Sequence, residues 1–237
     1  MQLAIATITL EHHGDNDLMM SSLEEMADRG HTVFVGDGGS SAAFTSRITA
    51  MGHVVLQPGR RMRGQVEAAL EAASESGSHV LYVESDKQEF VHDRLDRTLA
   101  SYRRRGVEFA SCGRNRTAFE TFPFEQREIE RAESALIGSV LGIRGDWVAG
   151  PVIMPAEHVR CLRDSKFYGS DRHGWGVNWF LLGRAWKKGL QVGNIPTAPG
   201  VHTSAESEFN PGYRLYQANA ILGCFYDGAG IDYDWHE

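Results

Sequence analysis

The feature that most constrains the fold is an apolar run at residues 80–83 that leads directly into Glu84 and Asp86. Four consecutive apolar residues are typical of a strand buried on both faces, as in a parallel sheet. Such sheets bind ligands at the carboxyl ends of their strands, which is where the two acidic residues would lie. Two carboxylates there can bind one divalent cation whose remaining coordination positions are open to phosphate oxygens. The stretch therefore predicts metal-assisted handling of a nucleotide diphosphate, although solvated charges after a strand would give the same pattern.

Strand-like and helix-like segments alternate with short connections, which predicts an α/β fold with right-handed crossovers. We expect a mixed, mostly parallel sheet flanked by helices. The predicted strands cover residues 2–10, 32–35, 54–56, 80–83, 107–112, 150–154 and 190–195, and the predicted helices cover 17–29, 43–51, 63–74, 93–105, 125–141 and 178–188.

The second half of the chain is less regular in two places. Residues 114–123 are predicted to form a polar and aromatic loop, and the tail from residue 206 contains only a helical patch at 213–225. No internal repeat or linker marks a domain boundary. We therefore expect one domain over residues 1–237, with a nucleotide-binding half at 1–112, an acceptor-side half at 113–205 and a C-terminal extension at 206–237.

The charge and cysteine content limit the function classes. A net charge of −7 gives no electrostatic footprint for nucleic acid. The 3 cysteines are far apart and in no metal-ligand spacing, which favours a reducing compartment. The first strand begins without a charged leader, and no stretch is long enough to cross a bilayer. We expect a cytoplasmic protein that does not bind nucleic acid.

Two further segments of the first half have the chemistry of a donor site. Asp37 ends the second predicted strand inside a glycine-rich turn, where its carboxylate could bind a base or ribose. An ordinary Asp-Gly turn is the alternative. Arg61, Arg63 and Gly64 lie at the start of a predicted helix, where phosphate can meet cations and backbone N–H groups. Solvated arginines at a helix start would look the same.

Two segments of the second half could complete the site. His202 follows a turn after the last predicted strand, and a neutral imidazole can join carboxylates around a metal. A lone loop histidine is more often not a ligand. Residues 168–178 combine glycines, Trp175 and polar groups directly before a helix, as in loops that hold sugars. Trp175 could instead belong to the core.

Together, these segments resemble the GT-A class of nucleotide-sugar glycosyltransferases, in the branch of the glucosylglycerate and mannosylglycerate synthases. Residues 35–40 match the turn that holds the base, and residues 84–86 take the place of the Asp-x-Asp metal motif. Residues 174–178 are similar to the Gly-Tyr/Trp-Gly-x-acid loop that touches sugar and acceptor. His202 lies where these enzymes have a metal-binding histidine. The resemblance covers roughly residues 1–205.

The resemblance implies a role for each matching residue. A nucleotide-sugar donor and a small polar or glycan acceptor would be the partners, Mn²⁺ or Mg²⁺ would be the cofactor, and a homodimer is left open. The implied residues are Glu11, Asp37, Gly38, Arg61, Arg63, Gly64, Glu84 and Ser85 for the donor, Arg114, Gly150, Trp175 and Gly176 for the acceptor, Asp86 and His202 for the metal, and Asp171 and Asn178 for catalysis.

Two departures from the family pattern bear on the mechanism. Glu84 replaces the first Asp of the metal motif, which makes Asp86 the stronger candidate ligand. Asn178 replaces the acid of the loop, and an amide cannot act as a general base. Retaining members of the branch are thought to let the departing phosphate take the proton, so Asn178 favours retention. Asp171 is the candidate base if the enzyme inverts.

Two other functions remain open. A nucleotidyltransferase would also use a sheet, a carboxylate pair and a metal, but residues 9–14 do not supply the glycine-rich basic loop expected after its first strand. A non-catalytic nucleotide-sugar or glycan-binding protein could keep the same fold without activity.

Overall fold

The computed structural model describes residues 2–11, 16–164, 174–197 and 210–232. The strands are β1 Leu3–Thr9, β2 Val33–Asp37, β3 Val54–Leu56, β4 His79–Tyr82, β5 Phe109–Ser111, β6 Val152–Pro155 and β7 Val192–Asn194. The helices are α1 Asn16–Asp28, α2 Ala42–Ala50, α3 Met62–Ser76, α4 Leu95–Arg105, α5 Arg116–Phe119, α6 Phe124–Leu141, α7 Ala156–Val159, α8 Val177–Lys187 and α9 Pro211–Ala229. A π-helical turn, Phe90–Arg94, precedes α4, and a 3₁₀ turn, Arg160–Asp164, follows α7.

The strands form one mixed sheet in the order β3-β2-β1-β4-β6-β5-β7. Strand β6 runs antiparallel to β4 and β5, whereas the other pairs are parallel. This confirms the predicted mixed, mostly parallel α/β fold. Because β6 is reversed, its amino end lies beside the carboxyl end of β4, with Val152 paired to Tyr82. The segment before β6 therefore reaches the same sheet edge as the residues after β4.

The sheet is buried between two layers of helices, as its continuous apolar runs predict. Alternate residues of β1 enter different core clusters: Ala4 and Ala6 face the cluster that contains α3, α8 and α9, and Ile5 faces the one that contains α1, α2 and α4. Leu81 of β4 is fully buried in that second cluster. A buried leucine of this kind contributes about 1.5–3 kcal/mol relative to an exposed one.

Two helices end at glycines, as the sequence predicts. Gly30 follows α1 and Gly189 follows α8, and both have a φ of 76°. That left-handed conformation costs glycine little and ends a helix. Ser41, by contrast, begins α2 by accepting a hydrogen bond from Phe44 N, a cap that the sequence analysis did not identify.

Two segments contain more helix than the sequence predicts. The loop predicted at 114–123 contains the short helix α5, because the Asn115 side chain caps it by accepting from Ala118 N. The tail contains α9, a helix of 19 residues that extends the predicted patch at both ends. It packs on α8, so this part of the tail belongs to the main core. The division into two halves and an extension stays a prediction.

Within the described ranges, no helix combines the length and apolar character needed to cross a membrane.

Helices α8 and α9 approach so closely that two glycines lie at their contact. A Cβ built at Gly183 would lie 2.3 Å from Phe225 O, and one at Gly228 would lie 2.2 Å from Phe180 O. These are backbone atoms that cannot turn away as a side chain can. The contact therefore requires glycine on both helices.

We expect Gly183→Ala to lower the free energy of unfolding by about 1–3 kcal/mol, because overpacking outweighs the gain in helix propensity. Chemical denaturation measures this change. The matched control is Gly212→Ala on α9, where the nearest atom to a new Cβ is Asn210 Oδ1 at 3.4 Å. The control should be unchanged or slightly more stable. Equal stability of the two variants would contradict the close contact.

Candidate functional site

The carboxyl end of β1 joins the two segments that the sequence analysis singled out. On one side, Ser85 Oγ donates to Ile8 O at 2.8 Å. On the other side, Gly38 N donates to Thr9 O at 2.8 Å. The Asp37 turn and the Glu84 loop therefore flank one strand end.

The Asp37 carboxylate is fully buried and committed to its own turn. Its Oδ2 accepts from Gly39 N at 2.9 Å and from Ser40 N at 3.0 Å. Its Oδ1 accepts from Ser40 Oγ at 2.5 Å and from Thr9 Oγ1 at 3.4 Å. In this arrangement Asp37 shapes the turn, which agrees with the ordinary Asp-Gly alternative, and the backbone of the turn is the part that a ligand can reach.

Glu11 lies beside the same turn and is exposed. Its backbone N donates to Ser40 Oγ at 2.8 Å, and its Oε2 accepts from Ser41 N at 2.7 Å. The Asp37 turn also packs against α3, because a Cβ at Gly38 would lie 2.9 Å from Gln65 Nε2. Glycine at position 38 thus permits α3 to cover the turn.

The amino end of α3 carries the predicted phosphate-binding residues. Arg61 precedes the helix and is exposed, and Arg63 Nε donates to Glu67 Oε1 at 2.8 Å. Gly64 follows in the first turn. The Gly174 backbone presses against this turn: its φ is 87°, and a Cβ there would lie 2.4 Å from Arg63 N. The loop that begins at Gly174 therefore meets the start of α3, a contact between predicted donor and acceptor segments.

The Glu84 and Asp86 carboxylates converge on one cationic group. Lys87 Nζ lies 3.4 Å from Glu84 Oε2 and 3.5 Å from Asp86 Oδ2. Oxygen ligands of this kind suit Mn²⁺ or Mg²⁺, and the ammonium marks where they meet a positive charge. Burial, reinforced by the charges of Glu84 and Asp86, raises the pKa of Tyr82 well above its ordinary value. Both carboxylates therefore reach one cation, and their role as metal ligands stays a prediction.

The remaining metal ligand predicted from the sequence cannot be placed. In the part of the chain that the structure describes, no group of three or more His, Cys, Asp or Glu side chains could hold a metal. His202, the predicted partner of Asp86, lies outside the described residues, and so does Asp171, the candidate base.

Gly150 lies near Glu84 and is hydrogen-bonded to α8. Gly150 precedes β6 with a φ of 93°, and a Cβ there would lie 3.6 Å from Glu84 Oε2. Asn178 Nδ2 donates to Gly150 O at 3.4 Å. The Asn178 side chain is buried, and no described residue donates to its Oδ1. An acceptor oxygen without a protein donor is suited to a hydroxyl of a bound molecule.

Trp175 and Gly176 connect this region to the core. Trp175 is partly buried and packs against the cluster that contains α8 and α9. A Cβ at Gly176 would lie 2.2 Å from Cys224 Sγ on α9. The loop is therefore anchored on α9, and the alternative that Trp175 serves the core holds for part of its ring.

Arg114 faces the protein interior, contrary to the acceptor role implied for it. Its side chain is 5% exposed, with Nε 2.7 Å from Asp146 Oδ2 and Nη2 2.6 Å from Glu130 Oε2. The guanidinium lies between the rings of Phe119 and Phe122, at 4.8 and 4.6 Å from their centroids. Burial opposes its charge, but hydrogen bonds and charges from both carboxylates outweigh burial and raise the pKa of Arg114. This geometry gives Arg114 a structural role.

Sequence reasoning missed Lys87 and the acidic partners of Arg114. Lys87 directly follows the acidic motif, and that position was the available signal. Asp146 is 32 residues from Arg114, and nothing in the local pattern joins them.

Glu133 of α6 belongs to the same buried charge cluster and should make stability depend on pH. It is 5% exposed, and none of the described residues donates to its Oε1. Burial, followed by the charge of Glu130, raises the pKa of Glu133 to about 8. A raised pKa means that the folded protein favours the protonated carboxyl. The resulting contribution to stability is complete when the pH is below the unfolded-state pKa of 4.5. That contribution is lost as the pH rises through about 8.

As the pH rises from roughly 6 to 9, we expect the free energy of unfolding to fall less in Glu133→Gln than in the wild type, because the amide does not ionise. The difference should be on the order of 2 kcal/mol. Thermal and urea unfolding across this range measure the difference. Glu128→Gln, at an exposed position of the same helix, should follow the wild-type curve. Parallel curves for Glu133→Gln and the wild type would show that the buried carboxyl does not titrate in this window.

Solved structures provide the comparison with known proteins. No family model matches this chain, and no curated protein matches it in sequence. The Mycobacterium tuberculosis glucosyl-3-phosphoglycerate synthase, in complex with Mn²⁺, UDP-glucose and phosphoglyceric acid, is similar with a TM-score of 0.66 and 12% identity, covering 98% of this chain and 80% of that one. Another structure of that synthase gives a TM-score of 0.64 at 16% identity, covering 98% and 81%.

The mannosyl-3-phosphoglycerate synthase from Rubrobacter xylanophilus is similar with a TM-score of 0.66 and 14% identity, covering 100% of this chain and 77% of that one. The structural match extends beyond residue 205, where the sequence resemblance ended. At this level of identity the match concerns the fold. The chain has the GT-A fold of the glucosyl- and mannosyl-3-phosphoglycerate synthases.

Proposed function

We propose that this chain is a glycosyltransferase that moves a sugar from a nucleotide-diphosphate sugar to a hydroxyl acceptor, with a divalent cation and with retention of the anomeric configuration. One observation carries the proposal: the Asp37 turn and the loop that holds Glu84 are both hydrogen-bonded to the end of β1, and Gly150, which accepts from Asn178, lies near Glu84. The GT-A fold supports it, because a similar synthase binds Mn²⁺ and UDP-glucose.

The donor would lie along the first part of this arrangement. The backbone of the Asp37 turn, with Glu11 beside it, offers polar groups to the nucleoside. Arg61 and Arg63, with the first turn of α3, offer positive charge to the diphosphate. The partial positive charge of a helix amino end adds to that of the arginines. Polar groups that bind the nucleoside and positively charged groups that bind the diphosphate would thus lie on adjacent elements.

Glu84 and Asp86 would hold the cation, with His202 as the proposed third ligand. When bound, Mn²⁺ or Mg²⁺ offsets the charge that develops on the departing diphosphate. Ser85 keeps the two carboxylates in place, because its hydroxyl ties the loop to Ile8 O at 2.8 Å. The loop is therefore fixed to the central strand between its two acidic residues.

Asn178 supports retention. Its amide cannot accept the proton of the attacking hydroxyl, so it serves to orient. With Nδ2 directed at Gly150 O, its Oδ1 is the buried acceptor for a sugar or acceptor hydroxyl. If the reaction retains the configuration, the attacking hydroxyl of the acceptor gives its proton to the departing phosphate oxygen. Asp171 is the proposed base only if the product proves inverted.

The acceptor would meet Gly150, Trp175 and Gly176. A similar synthase is known in complex with phosphoglyceric acid, which is a small hydroxy acid. We propose a small polar acceptor for this chain on that ground. Arg114 leaves the proposed acceptor set because its guanidinium is committed to Asp146 and Glu130.

A non-catalytic nucleotide-sugar-binding protein is the second candidate, and one observation favours it. The ammonium of Lys87 lies between the carboxylates that would hold the metal. Release of nucleoside diphosphate from UDP-, GDP- or ADP-sugars in the presence of Mn²⁺ or Mg²⁺ distinguishes the two. Slow metal-dependent release indicates an active site, whereas donor binding without any release indicates a binding protein.

We expect Asp86→Asn to lower kcat/KM for sugar transfer by roughly 100-fold or more, because charge compensation of the leaving group is worth several kcal/mol. Product formation with the active donor and saturating metal measures the loss. Asp96→Asn is the matched control, since Asp96 is an exposed carboxylate on α4 paired with Arg29. Full turnover by Asp86→Asn would remove the metal role from this residue.

We expect the product to keep the anomeric configuration of the donor, because Asn178 stands where an inverting enzyme needs a carboxylate base. NMR of the product formed in the first minutes reads the configuration directly. Asn178→Ala should slow transfer without changing the anomer. An inverted product, with Asp171→Asn abolishing turnover, would contradict the retaining mechanism.

A further inference from the structure

Lys87 is positioned by the backbone of the acidic loop. Its N donates to Glu84 O at 3.1 Å, so residues 84–87 form a turn that returns position 87 towards position 84. Val91 N then donates to Lys87 O at 3.1 Å, which begins the following helical segment. The turn and this first helical bond fix the base of the lysine side chain, while its four-carbon stem remains adaptable.

The two ion pairs of Lys87 are loose. The Nζ distances of 3.4 and 3.5 Å are near the outer limit of an ion pair, and the exposed side-chain fractions are 27% for Lys87, 27% for Glu84 and 47% for Asp86. Pairs this exposed change an equilibrium by roughly 1.4- to 5-fold each. The ammonium therefore holds the carboxylates weakly enough for another cation to replace it.

We propose that Lys87 is a tethered cation that competes with the divalent metal for Glu84 and Asp86. The inference rests on the metal site of the proposed function. Without metal, the ammonium offsets the repulsion between two carboxylates one residue apart. A divalent cation at the same oxygens repels the ammonium, which leaves through rotation of its own stem. The protein thus sets a threshold for metal binding with a residue inside the acidic loop.

The test measures Mn²⁺ binding to the full chain without donor, by electron paramagnetic resonance of free Mn²⁺ at low ionic strength. Lys87→Gln should tighten the Mn²⁺ Kd by about 3- to 10-fold, because both competing ion pairs are removed. Lys87→Arg keeps the charge and should stay within about 2-fold of the wild type. The gain should shrink at 0.5 M salt, since salt screens exposed charges.

Two controls separate competition from a general charge effect. Lys187→Gln removes one positive charge from an exposed position of α8 and should leave the Mn²⁺ Kd within about 2-fold of the wild type. Asp86→Asn in the Lys87→Gln background should abolish the tighter binding, which places the ion at the acidic loop. Thermal unfolding of each variant confirms that it is folded.

Three outcomes overturn the inference: an unchanged or weaker Mn²⁺ Kd in Lys87→Gln, equal tightening by Lys87→Arg, or no Mn²⁺ binding by either the wild type or Lys87→Gln. Sugar transfer is assayed separately on the wild type. Tighter Mn²⁺ binding by Lys87→Gln without any transfer keeps this inference and removes the proposed activity. Sugar transfer by the wild type, together with an unchanged Mn²⁺ Kd in Lys87→Gln, supports the proposed activity and rules out this inference.

Discussion

The hydrogen bonds at the carboxyl end of β1 are the constraint on which the site depends. Ile8 O accepts from Ser85 Oγ, and Thr9 O accepts from Gly38 N, each at 2.8 Å. Both acceptors are carbonyl oxygens of the last two residues of β1, and each holds a loop on one side of the strand. Because the strand itself is buried in the sheet, both loops inherit its rigidity. The proposed nucleotide and cation sites would then be kept at a fixed separation.

The reversed strand β6 completes the arrangement from the other half of the chain. In an all-parallel sheet, the residues before a strand would lie at the opposite edge from the acidic loop. Here the pairing of Val152 with Tyr82 carries Gly150 to the edge where Glu84 lies. Gly150 then accepts from Asn178, and the loop that precedes α8 meets the start of α3 through Gly174. Glycine at 150 and 174 allows these backbones to approach with positive φ.

The sequence predicted local features well and long-range partners poorly. Strand β3 and the ends of α1 and α8 follow from apolar runs and glycines, which are local signals. Helix α9 was underestimated because its burial depends on glycines facing α8, which no periodicity reveals. The same limit hid the Asp146 partner of Arg114. His202 and Asp171 lie outside the described residues, so those predictions stand where the sequence left them.

Burial distinguishes the two charge clusters of this protein. Arg114 is 5% exposed and meets its two carboxylates at 2.6 and 2.7 Å, so removing the guanidinium would leave two largely buried carboxylates uncompensated, at a typical cost of about 3–5 kcal/mol. Lys87 meets its carboxylates at 3.4 and 3.5 Å with side chains that are 27–47% exposed, and losing an ion pair of this kind costs about 0–1 kcal/mol. The first cluster is suited to holding the fold and the second to exchanging ions. The proposed function requires binding and release of a charged donor, and the loosely paired carboxylates after β4 are suited to that exchange.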